Sequence, residues 1–479
     1  MKQANIITRH FIKTIIRSRA LAAIYLLWLL LVTYAAVTGY QVYITQDTLR
    51  QQFQHQARQS WEANPDKHPH RMAHFGTFAF RQKHPLSMFD YGMESYTGNA
   101  VFLEAHKQNT VNFSEAGFST GLLRLGEISP AMLIQVLLPL ILFFLGFDTV
   151  ARQKENGTLK ILLCQGAGFR SIIRGNSLGL FVVAFIFLAP VLAAVAVQLL
   201  LQHAAPGAAV LQRAAYLLLG NLFFLWIICI IAVCVSAISH NSRAALLKLL
   251  GLWLLMTIVL PKTLQAIGSA MYPAPGKIQF DAAVEKDILK IGDSHNPNDL
   301  HFKRLKDSVL RANNADSVQQ LRFNYGGFQM QEGERMSSEV YNRHLQTLYD
   351  VYERQNNVSK YATFIDPLIG VKNMSMALTG TDFTAYRKFQ DDAEAYRYKL
   401  AQTMNELQQK YISNTTPAKD EHPHSIGKEH WTAFADFTHD FPPVPSLLYQ
   451  ERLTIAAMLA WFILSFFLIH FTAAKATTL

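Results

Sequence analysis

Residues 178–201 read LGLFVVAFIFLAPVLAAVAVQLLL and contain no charged side chain. A helix needs about 20 apolar residues to cross a hydrocarbon core of about 30 Å. The stretch therefore reads as a membrane span. Working outward from it, spans are expected at 20–40, 129–147, 177–201, 214–236, 245–267 and 453–471. Pro261 and Lys262 interrupt the outer third of the fifth. The expected fold class is membrane all-α, with six transmembrane helices. Two long segments, 41–128 and 268–450, remain for a mainly helical, or α+β, extracytoplasmic domain.

The chain has 479 residues, of which 50% are hydrophobic and only 16% charged. A disordered chain has the opposite balance. The net charge of +10 would suit nucleic acid, but its placement argues otherwise. With the N-terminus inside, residues 1–19, the loops at 148–176 and 237–248 and the C-terminal tail carry 13 basic and two acidic residues. Segment 41–128 has eight of each sign, and 268–452 has 21 basic against 24 acidic. Lys and Arg gathered in short loops follow the positive-inside pattern and set the topology. Neither soluble segment offers the basic surface that a nucleic acid needs.

The first span has a long basic leader and no A-x-A site after it, so it reads as a retained signal anchor. Cys164, Cys229 and Cys234 all lie outside the two large segments, which therefore fold without disulfides. Residues 1–19 hold an amphipathic helix: Ile7, Phe11 and Ile15 share one face, and Arg9, Lys13 and Arg17 the other. It suits a resting place at the membrane interface and equally a positive flank that fixes topology.

In the first large segment a polar helix continues the first span through residues 51–61, and a turn-rich stretch follows at 64–70. In the second, Thr381 and Asp382 sit where a helix cap is expected. Phe383, Tyr386, Phe389, Ala393, Tyr396, Leu400, Met404, Leu407 and Tyr411 then recur every three or four residues, a buried helical stripe. Weaker stripes cover 280–312 and 337–361, and 415–445 reads as a loop returning to the membrane.

The most informative loop is 148–176. Asn156-Gly157 breaks the chain, and Thr158 is placed to cap a short helix carrying Leu159, Ile161, Leu162 and Leu163. Gln165–Gly168 ends that helix, and Arg170 and Arg174 follow one turn apart. A short helix between two spans, apolar on one side and basic on the other, suits docking into a groove of a cytosolic partner.

The Glu-Asn-Gly-Thr-Leu core at 155–159, then Leu162-Leu163 and Arg170, resembles the signature after the second span of type-2 ABC exporter permeases. The six-span order resembles that family too. The large insertions after the first and fifth spans resemble those of one bacterial subfamily. The family's small-residue–Pro pair after the helix is Gly166-Ala167 here, so the helix end differs.

The resemblance implies a permease subunit that moves an unidentified substrate across or out of the bacterial inner membrane. It implies two cytosolic ABC ATPase subunits and a second copy, or a similar permease, as partners, with envelope proteins as a further candidate. It assigns ATPase coupling to Glu155, Gly157, Thr158 and Leu159, with Arg170 and Arg174 as supports. The sequence has no G-x-x-x-x-G-K-[ST] phosphate loop, so ATP and magnesium are expected in the partner ATPase and no cofactor in this chain.

Gln135, Asn221 and Lys262 are candidates for a transport path, because intramembrane polar groups usually face the bundle or a cavity. Helix–helix hydrogen bonding competes for the first two, and snorkelling for Lys262. His68, His70, His74, His422 and His424 are weak candidates for a borderline metal such as zinc or copper; His70 and His74 would share a face if their stretch were helical. No cysteine or carboxylate partner is evident in the sequence, and no bound metal is expected. The alternative reading is a membrane-anchored envelope sensor or assembly protein.

Overall fold

The computed structural model describes residues 2–109, 127–202, 206–415 and 424–476. Among the described residues, six helices are long and apolar enough to cross a membrane: Arg19–Glu62, Pro130–Glu155, Phe169–Leu200, Ala208–Ile238, Ser242–Met271 and Arg452–Ala474. They are spans 1 to 6 below. Span 4 is central and packs on spans 2, 3, 5 and 6. Spans 1 and 5 are the least buried, and Leu26, Leu27 and Leu30 on the first and Leu254, Leu255 and Ile258 on the fifth are exposed. The fold is a membrane all-α bundle with a mainly helical domain at one end.

Proline shapes two of the spans. A helix proline lacks the N–H that would bond four residues back, and its ring collides with that carbonyl. Before Pro139 the chain widens into a π-turn at Leu133–Leu137, and before Pro261 into another at Leu255–Val259. Such bulges relieve the collision and free carbonyl groups. The indole Nε1 of Trp253 on span 5 donates to the Val136 carbonyl of span 2 at 2.9 Å, joining the two bulged helices. Pro190 sits within span 3 with no π-turn beside it.

The N-terminal helix, Lys2–Ile16, lies along the start of span 3. Phe11 and Ala4 are buried there, while Arg9, Lys13 and Arg17 are exposed. The approach is close because Gly175 and Gly179 present no side chains: a Cβ on Gly179 would come within 2.5 Å of the Phe11 ring. The Thr8 hydroxyl donates to the Gly175 carbonyl at 2.9 Å.

Span 1 runs unbroken for 44 residues. At 1.5 Å per residue that is about 66 Å, twice the bilayer core, so its second half enters the domain. There Trp61 Nε1 donates to the Trp431 carbonyl at 2.8 Å, and Arg58 bonds the carbonyls of Thr432 and Phe434. Helix Pro69–Phe75 leads into a two-stranded antiparallel sheet, Thr77–Phe80 with Ala100–Leu103, in register from Thr77 opposite Leu103 to Phe80 opposite Ala100.

The second segment supplies helices Lys277–Ile291, Leu300–Ala312, Tyr325–Ala362, Pro367–Thr379 and Phe383–Tyr411. Asp382 caps the last, accepting from the Ala385 N–H at 3.0 Å, and Phe389, Ala393, Leu400 and Met404 are buried as their spacing predicts. The weaker stripe at 280–312 is two helices, broken by the loop at 292–299, and the one at 337–361 belongs to a helix that begins twelve residues earlier, at Tyr325. Helix Pro367–Thr379 seats on spans 4 and 6 through Leu368, Val371 and Leu378. Lys360 pairs with Glu451 at 2.7 Å at the start of span 6, and Trp461 Nε1 donates to the Thr363 carbonyl at 2.9 Å. The domain is thereby fixed to the bundle.

Candidate functional site

Span 2 ends in a short helix, Ala151–Glu155, and the loop to span 3 forms a second, Thr158–Cys164, both at the bundle end opposite the domain. Gly157 makes the corner between them with φ +77°, in the left-handed region that only glycine enters at no steric cost. The cap differs from the sequence expectation. Thr158 is the first helical residue, and Asn156 Oδ1 accepts from both its N–H, at 3.2 Å, and its hydroxyl, at 2.6 Å.

The first short helix is tied to spans 4 and 5. Ser236 Oγ accepts from the N–H groups of Val150 and Ala151 at 3.1 and 3.0 Å, which satisfies two free donors of a helix start. Lys154 Nζ donates to the Ala237 carbonyl. The Glu155 carboxylate accepts the Ser242 N–H at 3.0 Å and the Ser242 hydroxyl at 2.6 Å. A carboxylate at the N-terminus of span 5 is also favoured by the helix dipole.

The second short helix has two faces. Leu159 is buried in the same core as Phe169 and Ile173. Lys160, Ile161, Leu163 and Cys164 are exposed. Arg170 and Arg174 are exposed at the start of span 3, and Arg170 Nη2 lies 3.3 Å from His470 Nε2 of span 6. Gln3 of the N-terminal helix bonds the Gly166 carbonyl and the Gly168 N–H, so it holds the helix end where the sequence lacks a proline. Glu155, Gly157, Thr158 and Leu159 therefore form one continuous element, with the two arginines beside it.

The polar residues of the spans do not form one cluster. Gln135 is buried in the π-turn of span 2 and lines a small cavity with Phe143, Phe224, Met256 and Thr257; its Nε2 has no hydrogen-bond partner among the described residues. Asn221 is buried and donates to the Leu217 carbonyl of its own helix at 2.8 Å. Lys262 is exposed on the outside of span 5. Arg213, which the sequence reading left without a role, is buried and donates to the carbonyls of Leu378 and Pro442 in the domain.

Within the domain, a cleft of about 650 Å³ lies between span 1 and the sheet, lined by Phe53, Phe75, Phe78, Phe80 and Phe102 with Asp47, Arg50, Arg81 and Lys83 at its polar edge. The histidines separate. His68 caps helix Pro69–Phe75 through its ring, which accepts the His70 N–H at 3.2 Å. His70 and His74 face each other on that helix, their Nε2 atoms 3.2 Å apart. Burial, with the neighbouring rings, brings His70 down to about 4. His424 lies near His68, and His422 is outside the described residues. The sequence reading missed His106 and His295, which stand beside His70 and His74.

The family model described as ABC-2 family transporter protein matches residues 5–291. A second, described as Domain of unknown function (DUF3526), matches residues 277–440. No curated protein matches the chain.

Proposed function

The chain belongs to the ABC-2 family of transporter proteins, and from that premise we propose that it is the permease of a type-2 exporter driven by two cytosolic ATPase subunits. That it is the membrane subunit of an ABC transporter follows from the family itself. The finer reading rests on one observation: the bidentate link from Glu155 to Ser242, which joins the helix-bearing loop to the start of span 5.

In this reading the exposed Ile161, Leu163 and Lys160 enter a groove of the ATPase. ATP binding closes the ATPase pair, and the Thr158–Cys164 helix is carried with it. The motion passes through Glu155 to span 5 and through Ser236 and Lys154 to span 4. Span 4 touches four other spans, so its displacement reaches the whole bundle and opens a path outward. Gln135 and the cavity it lines against Thr257 are the proposed polar step in that path. Lys262, exposed near the end of span 5, extends its ammonium toward the interface.

The charge pattern supports a bacterial inner-membrane location, with both termini in the cytoplasm and the domain in the periplasm. The apolar faces of spans 1 and 5 are available to lipid and to a second permease. Hydrolysis of ATP with magnesium belongs to the partner, since this sequence has no phosphate loop.

The test is purification of the tagged chain in mild detergent, with identification of co-purifying proteins and an ATPase assay. A Walker-motif ATPase should co-purify, and Glu155→Ala should lower its activity while the chain still inserts. A chain recovered without ATPase, or only with envelope proteins, would sink the exporter reading in favour of the sensor or assembly one.

A further inference from the structure

We propose that His70, His106 and His295, with His74 beside them, bind one divalent transition metal of the zinc and copper class and so clasp the two large segments together. One ligand nitrogen from each of the first three lies within 4.8 Å of the other two. A tetrahedral metal with bonds of about 2.0–2.1 Å to imidazole holds its nitrogens roughly 3.3 Å apart. The Nε2 atoms of His70 and His74 already stand at 3.2 Å, and their ring centroids lie 5.4 and 5.3 Å from that of His106.

His106 carries the strongest indication. Its Nδ1 faces the buried Glu334 carboxylate at 3.0 Å, and its backbone N–H donates to the same oxygen at 2.9 Å. The carboxylate accepts the Nδ1 proton, which fixes the tautomer and turns the Nε2 lone pair inward. That Nε2 is buried and has no hydrogen-bond partner among the described residues. Metal-bound histidines are held by carboxylates in this way, and the partner raises the basicity of the ligand nitrogen. Glu334 is held in turn by Arg397 at 2.7 Å. His106 also has φ +62°, a left-handed conformation that few non-glycine residues adopt and that clusters at functional sites.

The ligands come from three places in the chain. His70 and His74 lie on helix Pro69–Phe75, His106 in the turn after strand Ala100–Leu103, and His295 in the loop at 292–299 between two helices of the second segment. His295 is exposed, so the site opens to solvent on that side and leaves room for water as a further ligand. An all-imidazole set without thiolate suits zinc, copper or nickel and disfavours calcium or magnesium.

The experiment uses the full-length chain in detergent, freed of its affinity tag and treated with chelator. Zinc alone is titrated calorimetrically, and cobalt is added as a visible probe of tetrahedral geometry. The expected result is one saturable site per chain with dissociation constant in the micromolar range or tighter. His106→Ala and His295→Ala should each weaken it at least about tenfold. His55→Ala, an exposed histidine on span 1, should leave it unchanged. His295 lies in an exposed loop, so its variant is expected to melt as the metal-free parent does. Absence of a saturable site in the parent, or parental affinity in either His106→Ala or His295→Ala, overturns the proposal.

Discussion

The two ends of the bundle are built on different principles. At the loop end, Glu155, Lys154 and Ser236 make a few hydrogen bonds to helix termini, and Ile161 and Leu163 face outward. At the domain end, Arg397 lies between Glu334 and Glu394 with almost no exposure, and Arg81 pairs with Glu94 in a second buried cluster. Burial pushes the Glu334 carboxyl up, but the His106 ring and the Arg397 guanidinium outweigh it and hold the group well below the usual carboxylate range. The Ser236 bonds are buried, but the Glu155–Ser242 link is exposed, and exposed charged links are weak and reversible. Buried pairs are costly to break, because the survivor is left as an uncompensated charge. The loop end is therefore suited to movement, and the domain end to fixed geometry.

The largest expected effect tests the rigid end. Arg397→Met leaves two buried carboxylates without their cation. Loss of one partner in a buried pair costs about 3–5 kcal/mol. A drop in melting temperature of about 3–9 °C should follow in the detergent-purified chain. A drop no greater than that of a loop substitution would remove the contrast between the two ends.

Next comes a buried acid whose charge works against the fold. Asp366 caps helix Pro367–Thr379, accepting the Leu368 N–H at 2.9 Å through one oxygen, while the other has no partner among the described residues. Burial raises its carboxyl to about 7. A raised acid stabilises the fold below its unfolded value, near 4, and that contribution is lost as pH rises through 7. The native chain should lose up to about 4 kcal/mol across this window, at 1.36 kcal/mol per unit. Asp366→Asn keeps a capping oxygen and should flatten the profile, so its advantage is largest at pH 8, falls to less than half by pH 5 and vanishes only below about pH 4. Parallel melting profiles for the two proteins from pH 5 to pH 8 would refute the assignment.

A smaller effect lies where the N-terminal helix meets span 3. A Cβ at Gly179 collides with the Phe11 ring, and overpacking of this kind costs about 1–3 kcal/mol. Gly179→Ala should lower the melting temperature, and Phe11→Ala in the same chain should remove that added loss. Additive effects of the two substitutions would show that the helices do not meet there.

The same contrast explains what the sequence disclosed. Each span but the fifth, which Pro261 and Lys262 interrupt, is a continuous apolar run, and the stripe from Phe383 to Met404 lies on one helix, so both are visible in local spacing. The corner at Asn156-Gly157 is equally local. The four-residue step from His70 to His74 becomes a facing pair once Pro69–Phe75 is helical. His106, His295, Glu334 and Arg397 are brought together only by tertiary folding, and no local period marks them. The break around His295 did carry a signal, since Gly292-Asp-Ser-His-Asn-Pro-Asn-Asp299 is dense in turn formers within the stripe at 280–312. The π-turns left only the prolines that follow them as a trace, because a bulge adds no residue type of its own.

The smallest stability effect is expected at the moving end, and there it should be separable from activity. Gly157 holds φ +77° with open space around its missing side chain. Gly157→Val meets no neighbour, so its cost is confined to the left-handed backbone, about 1–2 kcal/mol. The residue relaxes toward negative φ and re-aims the Thr158–Cys164 helix relative to the Glu155–Ser242 link. Melting temperature should fall by only a few degrees, while ATPase stimulation by the permease falls about tenfold or more. Gly157→Asn should recover most of the activity, since asparagine tolerates the left-handed region better than valine. Valine and asparagine variants with equal coupling would mean that the angle of this corner does not transmit the motion. The coupling role would then rest on Glu155 and the exposed face at Ile161 and Leu163 alone.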